Sequence, residues 1–133
     1  MSIRILKDLE FEDWAVDHDV TDKMLCEAAK EIESGLVDAR LGDYLIKKRV
    51  AAPGRSKQRS YRTIVGHRQA DRLIFLHGFA KKDKENITKN ERKALVKLCE
   101  IYMQASDDKL SQMVGEELIL EIKCDEQDSK ERT

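Results

Sequence analysis

The chain has 133 residues, 41% of them hydrophobic and 38% charged, and a net charge of −1 at pH 7. That length suits one domain, in which folding buries roughly two-thirds of the unfolded surface. No apolar run approaches the roughly 20 residues that span a bilayer, and Met1–Arg4 lacks the apolar core of a signal peptide, so no membrane association and a cytoplasmic location are expected.

In chain order, Ile3 and Ile5 alternate with Arg4 as in a short strand. Phe11, Trp14 and Ala15 share one face of a short helix that ends before Asp17. Thr21 suits the N-cap of a second helix with the stripe Met24, Leu25, Ala28, Ala29 and Ile32, and Gly35 suits its left-handed C-cap. Three β-like runs follow: Tyr44–Val50, Ser60–His67 and Leu73–Phe79. Pro53-Gly54 fits the centre of a type II turn between the first two, and Arg68–Arg72 fits a hairpin connection between the others. The result is an antiparallel meander, which the first strand joins in a direction the sequence leaves open. Thr88-Lys89-Asn90-Glu91 fits a capping box, and the next helix carries Ala94, Leu95, Leu98, Ile101, Tyr102 and Ala105 at helical spacing. After Ser106 an amphipathic turn with Leu110 and Met113 ends near Gly115, and Leu118–Ile122 reads as a last strand.

These elements predict an α+β domain over residues 1–123, with a polar tail over 124–133. A twisted antiparallel sheet would pack on the N-terminal helices, helices on one side and sheet on the other, with a C-terminal helix. Cys26, Cys99 and Cys124 are odd in number, widely spaced and without a CxxC pair. They read as reduced thiols of a cytosolic protein, with Cys26 and Cys99 as core or boundary residues rather than nucleophiles.

Charge is the most informative pattern. Between Asp43 and Asp71 there is no acidic residue, while Lys47, Lys48, Arg49, Arg55, Lys57, Arg59, Arg62 and Arg68 fall in that interval. The rest of the chain is left with 17 basic and 26 acidic residues. Such asymmetry in a small domain points one surface at anions, closely spaced phosphates first. Strand alternation puts Lys47 and Arg49 on one face and Lys48, with Ile46 and Val50, on the other. A sheet covered on one face only would leave half of these cations on open surface.

RNA cleavage without a metal needs an aligned, deprotonated 2′-hydroxyl, an acid for the leaving oxygen and stabilisation of the transition-state charge. Arg55 and Arg62 suit phosphate clamping, and Lys47 or Lys48, crowded by cations, suits acid–base work. Tyr61 suits base stacking or proton donation. The competing readings are a solvated strand end for Lys47-Lys48-Arg49, and a basic face that binds RNA or an acidic protein without catalysis. His67 and His77 read as packing or hydrogen-bonding residues. His18, His67 and His77 lack metal-ligand spacing and there is no Gly-rich phosphate loop, so neither a metal nor a cofactor is expected.

The segments Leu45-Ile46-Lys47-Lys48-Arg49-Val50-Ala51-Ala52-Pro53-Gly54-Arg55, Tyr61-Arg62-Thr63-Ile64-Val65 and Gly78-Phe79-Ala80-Lys81, followed by Asn86-Ile87, resemble the RelE/HigB-type toxins of bacterial type II toxin–antitoxin modules. The similarity is greatest to the RelE-like subgroup with IKKR, PG, YRT and GFAK motifs, and it spans about Ile3 to Ile122. It implies a compact RelE-like fold and a ribosome-dependent, metal-independent mRNA endonuclease that inhibits translation. It also implies a cognate helix-turn-helix antitoxin, with operator DNA bound only through the antitoxin complex. By position, catalytic roles would fall to Lys47, Lys48, Arg62 and Lys81. Contacts to RNA or the ribosome would fall to Arg49, Arg55, Lys57, Arg59, Tyr61 and Arg68. The chain departs from the founding members, which place an acid–base or stacking aromatic near the C-terminus. Here no Tyr or Trp follows Phe79 until Tyr102, whose spacing assigns it to the core face. A non-catalytic nucleic-acid-binding module, or a toxin against another target such as gyrase, is the alternative.

Overall fold

The computed structural model describes residues 3–51, 60–80 and 86–124. Across them run β1 (Arg4–Asp8), α1 (Leu9–Asp17), α2 (Asp22–Glu33), β2 (Ala39–Arg40), β3 (Leu45–Ala51), β4 (Ser60–Arg68), β5 (Arg72–Ala80), α3 (Lys89–Gln104), α4 (Asp107–Gly115) and β6 (Ile119–Ile122). The turn expected at Pro53-Gly54 and the tail residues 125–133 lie outside the described residues.

Local chemistry explains the element boundaries. The Asp8 carboxylate accepts the Phe11 N–H at 2.8 Å, so the last residue of β1 is also the N-cap of α1. Burial, opposed by that hydrogen bond and assisted by Glu10, pushes the Asp8 carboxyl up to about 6. Thr21 caps α2, and Gly35 (φ +99°) ends it: Gly35 N–H donates to Ile32 C=O and Leu36 N–H to Glu31 C=O, both at 2.9 Å. The capping box at α3 forms as the sequence predicts, with Thr88 N–H to Glu91 at 2.7 Å and Glu91 N–H to Thr88 at 3.1 Å.

The strands form one six-stranded sheet in the order β2-β3-β4-β5-β1-β6. All neighbours are antiparallel except β1 and β5, which settles the direction the sequence left open. β2, only two residues long, has no signature in the sequence; it exists because Ala39 and Arg40 find Lys47 and Ile46 across the ladder.

Helices cover both faces of the sheet, which corrects the expectation of helices on one side. Ile5, Ile46, Val65 and Phe75 pack with Phe11, Leu25 and Ile32 of α1 and α2. Their alternates Leu6, Leu45, Ile64 and Ile74 pack with Leu95, Met103 and Leu110 of α3 and α4. The stripe of α3 must bury somewhere, and the second sheet face is the remaining apolar surface. Gly66 lets α3 approach: a Cβ there would lie 2.9 Å from Cys99 Sγ.

Cys26 and Cys124 are joined by a disulfide, which corrects the reading of all three cysteines as reduced thiols. Because β6 pairs with β1 beside the α1–α2 layer, the residue at the start of the expected tail reaches α2 and packs on its core. The cysteine count therefore gives no argument about compartment. Cys99 is free and buried; burial and Glu100 push its thiol up to about 11, away from nucleophilic chemistry. Among the described residues no helix is long and apolar enough to cross a membrane.

Candidate nucleic-acid interface

Register sorts the cations of the acid-free interval onto two faces. Two consecutive rows of residues on the α3 side cross β3, β4 and β5. One is Lys47–Ile64–His77 and the next is Arg49–Arg62–Phe79. Strands lie about 4.8 Å apart, so each row spans about 10 Å. Arg49 and Arg62 are directly opposed, with Cβ atoms about 5 Å apart. Arg49 is exposed, Lys47 half-buried, and Arg62 only 9% exposed, its Nη1 donating to Ser60 Oγ at 2.9 Å.

His77 and Phe79 reach this face through a break in alternation. Ile64 pairs with His77 but Val65 pairs with Phe75, which leaves Leu76 as the extra residue of a β-bulge. Leu76 packs on the α3 side, and so does Phe79, whose ring lies 6.0 Å from that of His77. The sequence assigns His77 to packing or hydrogen bonding, and no residue type in the run Leu73–Phe79 announces the bulge.

The opposite face holds the row Lys48–Thr63–Gly78. Lys48 is 7% exposed and salt-bridged to Glu31 of α2 at 2.7 Å, and it also donates to Leu36 C=O at 3.0 Å. Thr63 donates to Lys48 C=O at 2.8 Å. Gly78 lies under the Trp14 indole, which a Cβ would meet at 2.4 Å. Tyr61 is on this side too, edge-on to Trp14 and His18 at ring separations of 5.2 and 5.3 Å. His67 bonds Glu33 of α2 at 2.6 Å, so α2 grips β3 and β4 through successive acidic residues.

Arg68 lies six residues from Arg62 along β4, about 20 Å away. Its guanidinium is bound to Asp71 and to Met103 C=O. Burial pushes Asp71 up, yet hydrogen bonds from Arg68 and Arg72 outweigh it and hold the carboxylate below its usual range. The structure thus brings Lys47, Arg49 and Arg62 together and sets Lys48, Tyr61 and Arg68 elsewhere. Arg55, Lys57, Arg59 and Lys81 lie outside the described residues. Tyr102 is buried, as its spacing predicts, and burial with the nearby Asp8 raises its phenol above the ordinary value.

The arrangement separates structural cations from the rest. Arg4, Lys7, Lys48, Arg68 and Arg72 each hold a carboxylate of the fold. Among the described residues, Lys47, Arg49 and Arg62 hold none. Among the described residues, these three clustered cations on one face of a small α+β protein make a surface suited to polyanions. A family model described as the RelE toxin of the RelE/RelB toxin–antitoxin system matches residues 3–122. The chain belongs to that family: it is the toxin of a toxin–antitoxin system, with an antitoxin as its partner. No curated protein matches it.

Proposed function

We propose that this toxin is a ribosome-dependent mRNA endonuclease whose site is the α3-side face of β3, β4 and β5. The observation that carries the reading is the Arg49–Arg62 pair. Like charges directly opposed on a sheet oppose folding by roughly 0.2–1 kcal/mol, and a phosphate between them turns repulsion into two charge-assisted hydrogen bonds. Arg62, mostly buried and held by Ser60, is pre-aimed and suits the charge that develops on the scissile phosphate. Arg49 and Lys47 position the flanking backbone. His77, a diagonal neighbour of Arg62 on the same face, suits proton transfer to or from the 2′-hydroxyl or leaving oxygen. Lys81 directly follows β5 in sequence, and Arg55, Lys57 and Arg59 fall between β3 and β4; we assign them contacts with RNA or ribosome. Lys48, Tyr61 and Arg68 receive structural roles.

The antitoxin is taken to be a helix-turn-helix protein that covers the basic face and carries the complex to operator DNA. Residues 1–123 form the toxin domain, and action on ribosomes places the protein in the cytoplasm. The test is 5′-end mapping of a defined message in reconstituted translation, with and without ribosomes. Cuts at a fixed codon position should appear only with ribosomes. They should fall 10²–10³-fold with Arg62→Ala, the typical effect of removing one transition-state donor. Folded wild-type protein that makes no cuts would refute the endonuclease reading in favour of a binding module or another target such as gyrase.

A further inference from the structure

One basic surface lies outside the site described above. An open groove of about 540 Å³ runs along α3, lined by Lys89, Arg92, Lys93, Val96, Lys97 and Glu100. Lys89, Lys93 and Lys97 stand at i, i+4 and i+8, so their stems rise from one side of the helix in steps of about 6 Å. All three are exposed, and none of them makes an ion pair among the described residues. Like charges at this spacing oppose helix formation, so the row is costly to the isolated fold. Glu100 is the single acidic residue, at the far end of the groove.

The helix that carries the groove is tied to the segment leading into β3. Arg92 donates to Leu41 C=O, and a Cβ on Gly42 would touch Val96 at 3.9 Å. Leu41 N–H in turn donates to Leu45 C=O at the start of β3. From Leu45, Lys47 and Arg49 are two and four residues on, on the same face, about 7 and 13 Å away.

We propose that this row is a track for the phosphate backbone of the RNA strand leaving the sheet site. The identity of the cations supports that occupant. Lysine ammonium groups act as point charges that neutralise phosphates without reading bases. A protein segment docked here would need a large apolar or aromatic anchor at its centre, and the groove offers only Val96. The inference rests on the RNA reading of the sheet face, and the test keeps the two apart.

The test is fluorescence anisotropy with a 2′-O-methyl single-stranded RNA of 18 nucleotides, titrated at several salt concentrations. The proteins are wild type, Lys89→Gln/Lys93→Gln/Lys97→Gln and Arg49→Gln/Arg62→Gln, each shown folded by circular dichroism. The logarithm of affinity falls by about 0.7 per phosphate contact for each log unit of salt, so the triple variant should lose about 2 from the slope. A 6-nucleotide RNA, long enough for the sheet face alone, should bind the triple variant and wild type within twofold. An unchanged slope in the triple variant, with a reduced one in the sheet variant, overturns the track and leaves the sheet reading intact. Unchanged slopes in both variants overturn both. If the triple variant loses binding to poly-glutamate while its RNA slope is unchanged, the groove serves an acidic protein segment and the proposal is refuted.

Discussion

Replacing Glu31 by Gln removes the charge that holds Lys48. The ammonium, with a side chain 8% exposed, then keeps only neutral acceptors, Leu36 C=O at 3.0 Å and the amide oxygen that replaces the carboxylate. Breaking a fully buried pair costs about 3–5 kcal/mol. Glu31 is 54% exposed, so water partly replaces the lost carboxylate and the expected cost drops to about 1–2 kcal/mol. At about 3–4 °C per kcal/mol for a chain of this length, Tm should fall by about 3–8 °C. Lys48→Met, which keeps the apolar stem and removes the need for the pair, should lie within about 1 kcal/mol of wild type. Thermal and urea unfolding of the two variants give the stability difference, and end mapping gives cleavage. A structural Lys48 predicts a less stable Glu31→Gln protein and near-normal cleavage by Lys48→Met. If Lys48→Met instead lost cleavage a hundredfold at unchanged Tm, Lys48 would belong to the chemistry. An unchanged Tm in Glu31→Gln would mean that the pair anchors nothing.

Other perturbations follow from the same structure. Asp8 titrates near 6 when folded and near 3.8 when unfolded, so between these values the native state binds more protons and stability falls as pH rises. Above about pH 6 the full cost, about 3 kcal/mol, is present. Asp8→Asn keeps an acceptor for the Phe11 N–H, and should raise the urea midpoint at pH 7.5 and flatten the pH 4–6 dependence; a steeper dependence would contradict it. Gly78→Ala puts a methyl group 2.4 Å from the sole tryptophan, and should cost about 1–3 kcal/mol while red-shifting the emission of Trp14. Reducing Cys26–Cys124 releases residues 98 apart in sequence, worth about 4–5 kcal/mol in the chain-entropy model. Tm should therefore drop with reductant in wild type, and not in Cys26→Ser/Cys124→Ser.

Much of the fold could be read from local chemistry, because its signals are short-range. Thr21, Gly35 and the Thr88–Glu91 box act within one helical turn, and α2 begins and ends, and α3 begins, where these residues predict. The meander of β3, β4 and β5 follows from β-rich runs bounded by turn residues. The acid-free interval from Tyr44 to Ala70 marks the region in which the site is proposed, since the cations there have no acidic neighbour within the run.

What depended on tertiary structure was which side each cation faces and what meets it there. Lys47, Lys48 and Arg49 are consecutive and chemically alike, yet Lys48 turns to Glu31 of α2 while its neighbours turn to the α3 side. The sequence showed that they alternate; it could not show which face would stay cationic, because that depends on pairing with Arg62 and on a helix far away in the chain. Leu76 is a still subtler case. One extra residue in β5 carries His77 and Phe79 onto the face of Arg62, and the bulge arises from how two strands match in length rather than from any residue's own preference. The Cys26–Cys124 bond and the row of lysines on α3 belong with it. The bond joins residues remote in sequence through the packing of β6 beside β1, and the lysine row, local to α3, is set beside the sheet by the packing of α3 over Leu41 and Gly42.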